Sequence, residues 1–300
     1  MSLSVRKITS RIGAVIEGFD LRADPSAETV QELRGLLNEH KAIVFDGVDL
    51  DDAGQERVAS WFGPLTTAHP TVPGVEGAAS VLPVDSESSK ANSWHTDVTF
   101  VVAPPQLTTL RSIVTTQYGG ETLIANTAAA YNDLPEPLRV LAESLSVVHT
   151  NAYDYAKPPA QTEQQRQHRE VFTSTVFESL HPLVRVHPVS GEKGLFLGGF
   201  ARRIEGLSSS ESHELLKIYQ SYVTRPENIV RWTWSPNQLL IFDNRITQHY
   251  AIDNYDDQPR RLNRVTVAGE VPTGVDGRRS KSLVGDASHY TPLESAERAA

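Results

Sequence analysis

The stretch Gln238-Leu239-Leu240-Ile241-Phe242-Asp243-Asn244-Arg245-Ile246-Thr247-Gln248-His249-Tyr250 begins as a short apolar run and ends on a histidine. Similar runs flank it. Ile229 to Trp234 and Asn263 to Ala268 alternate or run apolar, and Ser235-Pro236-Asn237 and a polar turn around Asp256-Asp257 separate the three. Short segments rich in β-branched and aromatic residues, bounded by turn formers, read as strands, so the second half is expected to be a hairpin-rich β core. The first half is mixed. Leu3, Val5 and Ile8, followed by Ile12 to Phe19, suggest an opening strand pair, and Ala42-Ile43-Val44-Phe45 a short buried strand. Asp24-Pro25 reads as the N-cap and first-turn proline of a helix with Val30, Leu33, Leu36 and Leu37 on its apolar face. Asp51 to Phe62 reads as a second helix ending at Gly63-Pro64. Thr127 to Leu145, broken at Leu134-Pro135-Glu136-Pro137, and Ser209 to Val223, with Leu215, Leu216 and Tyr219 inward, are helical as well. The fold class is therefore mainly β with flanking helices packed outside the sheets.

The 300 residues contain no Gly/Ser/Pro-rich linker or charge run, so one domain over 1–300 is expected, with 278–300 as a surface arm. Tyr155 to Gln167, with two prolines and four glutamines, lacks a core pattern and reads as a loop over a site. The absence of cysteine excludes a disulfide framework and any thiolate metal site. The first residues lack an apolar signal core, and no segment approaches the roughly 20 apolar residues of a membrane span. A cytoplasmic protein is expected. The formal charge of -9 argues against a nucleic-acid surface, although a few buried arginines can still hold a small anion. The expected partner is a small molecule.

His95, Asp97 and His249 are the candidate metal ligands. In an extended strand, residues two apart share a face, so His95 and Asp97 can point together while Thr96 points away. A third ligand from a distant strand completes two imidazoles and a carboxylate, and the remaining coordination positions stay open. That set favours iron(II) over a closed structural zinc site. Ten histidines in 300 residues produce such spacings by chance, so the surrounding sequence has to decide.

Four blocks decide it: Asn92-Ser93-Trp94-His95-Thr96-Asp97-Val98-Thr99-Phe100; Gly119-Gly120-Glu121-Thr122; His181-Pro182-Leu183-Val184-Arg185-Val186-His187-Pro188; and Phe242-Asp243-Asn244-Arg245 through His249. From Arg11 to about Gly277 the chain resembles the taurine dioxygenase (TauD/TfdA) family of iron(II)- and 2-oxoglutarate-dependent dioxygenases. The resemblance implies a double-stranded β-helix, or jelly roll, of cupin type. It implies iron(II) on His95, Asp97 and His249, with oxygen and 2-oxoglutarate as co-substrates. Thr122 and Arg260 are then the partners of the distal carboxylate of 2-oxoglutarate, which suits a guanidinium fork. Arg264, on the strand parity of Arg260, and His69 in Ala68-His69-Pro70 match the residues that grip a sulfo group in sulfonate-using members. Val98 and the pocket aromatic Phe200 are further substrate contacts by the same resemblance. Asp97 stands where related halogenases carry a small residue, so hydroxylation is implied. His181 and His187 read as structural, Trp94, Phe100, Trp232 and Trp234 as core, and Gly119-Gly120 as a turn.

The implied reaction is hydroxylation of the carbon next to a sulfate ester or sulfonate, which releases an aldehyde with sulfate or sulfite while 2-oxoglutarate becomes succinate and carbon dioxide. Taurine-specific relatives carry an asparagine at the position of Ala91, whereas this chain is apolar there. Ala68 to Pro73, Ala125 to Tyr131, Val171 to Glu178 and Ala268 to Pro272 look like the bacterial alkylsulfatase branch. Phe242 replaces the tryptophan usual before Asp-Asn-Arg. A carboxylate-bearing metabolite or an aryloxyalkanoate is the alternative substrate class, and a non-catalytic jelly-roll binding protein the third reading. Relatives form dimers and tetramers, so a homo-oligomer is implied.

Overall fold

A computed structural model of the chain describes residues 3–88, 91–153 and 162–290. The first half runs β1 (Ser4–Lys7), β2 (Ala14–Glu17), α1 (Ala27–His40), β3 (Ala42–Phe45), α2 (Asp52–Ser60), β4 (Leu82–Asp85), β5 (Leu107–Val114), β6 (Thr122–Asn126), α3 (Thr127–Asn132), α4 (Glu136–Ser144) and β7 (Ser146–Thr150). The second half runs α5 (Glu163–Phe172), β8 (Glu178–Pro182), β9 (Val184–Val186), β10 (Lys193–Leu195), β11 (Ala201–Ile204), α6 (Ser209–Val223), β12 (Ile229–Trp232), β13 (Leu239–Asp243), β14 (Thr247–Ala251), β15 (Arg261–Val267) and β16 (Lys281–Val284).

Strand alternation builds the layers. The large sheet has the order β1-β2-β3-β13-β5-β15-β4, and a smaller one the order β12-β6-β14. Ile43, Phe45, Leu239, Ile241, Val265 and Val267 point to one face of the large sheet, where Leu33 and Leu37 of α1 and Val58 and Ala59 of α2 cover them. Their sequence neighbours Ala42, Val44, Leu240 and Phe242, with Leu262 of β15, point to the other face, against Ile124 of β6 and Val230 of β12. Residues one apart thus serve two cores because side chains alternate across a strand. The facing pair of sheets is a double-stranded β-helix core with helices outside it. A second module, β11-β7-β8-β16, carries α3, α4 and α6 on a core of Tyr131, Val147, Ile204, Tyr219 and Val223.

Several expectations need correction. The three strands expected at 229–234, 238–242 and 263–268 are not hairpins with one another: β12 pairs with β6, β13 with β3 and β5, and β15 with β5 and β4, while β14 pairs with β6. Between β13 and β14 the turn Asn244-Arg245-Ile246 carries the chain from one sheet to the other, so the turn residues mark a crossing. Helix α1 is capped by Ser26, whose Oγ accepts from Thr29 N at 3.3 Å, while Asp24 pairs with Arg57. Of the loop expected at Tyr155 to Gln167, positions up to 161 lie outside the described residues, and Glu163 onward is helix α5. Its capping box, Thr162 with Gln165, starts the helix, and only Phe172 is buried, so no apolar stripe betrayed it. Of the arm expected at 278–300, positions 291–300 lie outside the described residues; β16 is exposed and pairs with β8, whereas Ser280 and Tyr290 are buried.

Candidate metal centre and anion pocket

His95 and His249 face each other as an isolated antiparallel bridge, with His95 N donating to His249 O at 3.0 Å and His249 N to His95 O at 2.7 Å. Directly opposed residues of such a pair project to one side. The two rings accordingly lie 4.1 Å apart. Thr96 points the other way and donates to Thr247 O at 2.6 Å. The chain is extended only as far as Thr96. It then turns over Asp97–Phe100, with Val98 at φ 54°, a left-handed conformation that is costly for a β-branched residue. One ligand atom from each of His95, Asp97 and His249 lies within 4.8 Å of the others. Nε2 of each imidazole is 3.9 Å from Asp97 Oδ1. Gly198 permits this arrangement, since a Cβ there would sit 3.0 Å from Trp94 O and 3.2 Å from the His95 Cα.

The surroundings prepare these groups as donors. His95 Nδ1 lies 2.6 Å from Ser93 O, which fixes the proton on Nδ1 and turns the Nε2 lone pair towards Asp97. Burial pushes the His95 pKa down and that of His249 down to about 3, where His95 beside it adds to the effect, so both imidazoles are neutral. For Asp97 burial acts upward, but Arg264, the imidazoles and the Thr108 hydroxyl outweigh it and hold the carboxyl well below the usual range. Asp97 Oδ1 accepts from Arg264 Nη1 at 2.7 Å, and Oδ2 from Thr108 Oγ1 at 2.6 Å. Thr108 Oγ1 in turn accepts from Asn244 Nδ2 at 2.7 Å, so the Asp243-Asn244-Arg245 turn braces the carboxylate. Two neutral imidazoles and one ionised carboxylate, all buried, fit a divalent metal with open coordination positions. Phe242 is fully buried with its ring 4.8 Å from that of His249.

A cavity of about 670 Å³, open mouth included, adjoins the trio. Its walls come from both sheets. Arg260, just before β15, and Leu262 and Arg264 within it share one face, and Thr122 of β6 stands opposite Ala251 of β14, all lining the cavity together with Leu110, Leu82 and Val84. The register shift beside Leu262 falls on the β5 side of the pairing, so the parity of the two arginines survives. Arg260 lies against the Gly119-Gly120 turn, its Nε donating to Gly120 O at 2.8 Å, and a Cβ on Gly120 would meet its Cδ at 3.0 Å. Arg260 is 5% exposed, and among the described residues no carboxylate pairs with it. Thr122 Oγ1 accepts from Trp234 Nε1 at 2.9 Å and from Arg260 Nη2 at 3.3 Å. Both acceptor positions of that hydroxyl are used, which leaves only its proton to offer. Trp234, expected as core, thus also orients Thr122.

His95, Asp97, His249, Thr122, Arg260, Arg264 and Ala91 all line this one cavity. His69, Val98 and Phe200 do not. Val98 and Phe200 belong to a cluster with Phe100, Phe172 and Phe177, and Phe200 is edge-on to His95 at 5.9 Å. The His69 ring packs on Phe172 at 5.2 Å and Phe100 at 5.8 Å, while its Nδ1 accepts from Thr71 N and Val72 N, both at 3.2 Å. Arg264 reaches this loop through Ala68 O at 3.2 Å. Sequence reasoning missed His168 and the apolar wall of β4. His168 was hidden because no helix is expected there, the expected loop ending at Gln167, and β4 because its proline-containing LPVD is too short to show a period. His181 and His187 are structural: His187 Nε2 contacts Asp243 Oδ2 at 3.1 Å, and His181 bridges Ser280 Oγ and Thr99 O.

A family model described as taurine catabolism dioxygenase TauD, TfdA family matches residues 4–266. An alpha-ketoglutarate-dependent sulfate ester dioxygenase of Pseudomonas putida is 51% identical over 286 residues, 94% of this chain and 95% of that protein. An alkylsulfatase of Acinetobacter baylyi is 46% identical over 299 residues, 98% of this chain and 94% of that protein. Among solved structures, a putative alpha-ketoglutarate-dependent taurine dioxygenase from Burkholderia xenovorans superposes with a TM-score of 0.82 at 33% identity, covering 95% of this chain and 99% of that one. No helix among the described residues is long and apolar enough to cross a membrane.

Proposed function

Since the chain belongs to the TauD/TfdA family of dioxygenases, we propose that it hydroxylates the carbon next to a sulfate ester or sulfonate, releasing an aldehyde with sulfate or sulfite, and succinate and carbon dioxide from 2-oxoglutarate. The observation that carries this reading is the pair of donors, Thr122 and Arg260, at one end of the cavity. Thr122 offers a proton and Arg260 a guanidinium without an acidic partner, both facing a space that also meets His95, Asp97 and His249. A buried cation of this kind needs an anion, and a carboxylate matches its fork.

In this reading His95, Asp97 and His249 hold iron(II), and Thr122 and Arg260 hold the distal carboxylate of 2-oxoglutarate. With oxygen, the bound iron and 2-oxoglutarate supply the oxidant that replaces a substrate C–H by C–OH. Arg264 holds the sulfo group from the cavity wall and so fixes which carbon faces the metal. His69, Val98 and Phe200, packed behind that wall, belong to the same anion end through the bond of Arg264 to Ala68 O beside His69. The apolar wall of Leu82, Val84, Leu110, Leu262 and Ala251 suits an alkyl chain, and Ala91 offers nothing to an ammonium group. The hydroxylated ester then collapses without help: the new hydroxyl loses its proton, its oxygen forms a carbonyl, and sulfate leaves with the C–O electron pair. The reading includes a cytoplasmic homo-oligomer, dimer or tetramer.

Anaerobic addition of iron(II) and 2-oxoglutarate should raise a visible charge-transfer band. Succinate release should then be strongest with alkyl sulfates and sulfonates, compared with taurine and aryloxyalkanoates. Absence of the band would sink the enzyme reading, and turnover confined to sulfur-free acids would sink the substrate.

A further inference from the structure

The family match stops at residue 266, yet the chain beyond it returns to the aromatic cluster and the His69 loop that pack behind the cavity. Thr266 continues the row Arg260, Leu262, Arg264 on the inner face of β15. Its Oγ1 lies 2.5 Å from Thr66 Oγ1 and 3.4 Å from the Tyr290 hydroxyl, all three residues being buried. The Tyr290 ring, with no exposed surface, fills the aromatic cluster of Val98, Phe100, Phe172, Phe177 and Phe200. The preceding residue, His289, is exposed but reaches the same loop from outside, with Nε2 3.0 Å from Pro70 O and its ring 6.4 Å from Phe177. Two consecutive residues therefore reach two points of the segment Thr66 to Val72 that carries His69, one on each side of that histidine. Tyr290 acts at the Thr66 end through Thr266, and His289 at Pro70.

The other ties of that loop are few. Thr66 N donates to Thr266 O at 3.0 Å, Ala68 N to Ala79 O at 2.8 Å, Arg264 Nη2 to Ala68 O at 3.2 Å, and Thr71 Oγ1 to Phe172 O at 3.1 Å. Among the described residues no strand pairing runs along it, and the nearest is the single bridge Leu65 to Val267 just before it. A loop held by isolated contacts takes its position from the surfaces it lies against, and here one of those surfaces is the Tyr290 ring.

We propose that His289 and Tyr290 form a C-terminal clamp that positions the His69 loop, and through it the anion end of the substrate pocket. They are positioning residues and touch neither metal nor co-substrate. The inference rests on the anion role given above to His69 and Arg264.

The test uses the full chain carrying Tyr290→Ala or His289→Ala, loaded with manganese(II) and 2-oxoglutarate so that binding is read without turnover. Calorimetry should show an alkyl sulfate bound about tenfold more weakly, as expected when a binding group is misplaced, with 2-oxoglutarate affinity within about twofold of the parent. Hydrogen exchange should show faster exchange at Thr66, Ala68, Thr71 and Val72 in both variants. His289 is exposed, so its variant remains informative if the Tyr290 variant does not fold. Unchanged alkyl sulfate affinity with unchanged exchange, or equal weakening of alkyl sulfate and 2-oxoglutarate, would overturn the clamp. A parent protein that binds no alkyl sulfate would instead overturn the substrate reading, and the exchange of the loop would then decide the clamp alone.

Discussion

The segment that carries His95 to the cavity, 94–97, and the loop that carries His69 behind its wall, 66–72, are built to different standards of rigidity. In the first, His95 exchanges two backbone bonds with His249, Thr96 is bonded to Thr247 O, and Asp97 has a donor on each oxygen. The strand β14 that supports it pairs with β6 along its whole length. In the second, His69 caps its own loop and leans on Phe172 and Phe100. In the proposed function the contrast puts the chemistry on the sheets, where geometry is over-determined, and part of substrate selection on a loop that can be re-aimed by its neighbours.

The largest break in this contrast comes from Asp97→Ala. It removes a candidate ligand and strips Arg264 of its buried partner, so the charge-transfer band is expected to vanish at stoichiometric iron(II), together with succinate release. Arg260→Lys should be next. Losing a charge-assisted fork should raise the KM for 2-oxoglutarate about ten- to hundredfold, with the substrate KM little changed, in steady-state assays. His69→Asn acts on the loop. The Asn oxygen can take over the cap to Thr71 N and Val72 N, so the loop should persist while the KM for an alkyl sulfate rises about tenfold. An intact charge-transfer band with that raised KM is the expected outcome, and loss of the band would show that the two segments are not separable.

In one respect the segments should behave alike. His249 in the bridge, His69 in the loop, and His149 and His181 behind them all have pKa values lowered first by burial, to about 3 for His249 and His181. An unfolded imidazole titrates near 6.5, so below that pH the unfolded chain binds protons that the native one refuses, and stability falls as pH falls from about 6.5 towards 3. Each such histidine contributes at most about 1.4 kcal/mol per pH unit in that window. The urea midpoint of the metal-free protein should drop between pH 7.5 and pH 5, and a flat profile would contradict neutral buried imidazoles.

Much of the site was legible because its parts obey local rules. Arg260 and Arg264 are four apart on one strand, and Thr122 follows a Gly-Gly turn that lets Arg260 approach. What could not be read are the residues whose role depends on distant partners. Asn244 matters to Asp97 only through Thr108, Trp234 only through Thr122, and His168 only because a capping box turns Thr162 to Phe172 into a helix over the cavity.

The sequence by itself determined the ligand types, the alternation that gives each strand two faces, and the helices with an apolar stripe, because all of these follow from residue chemistry and a period of two or of 3.6. The tertiary structure alone decided that successive strands go to opposite sheets, that His95 meets His249, and that Tyr290 seals the far end of the β15 row. Those contacts join residues far apart in the chain, and only the packing of one surface on another selects among the many pairings that each surface would accept.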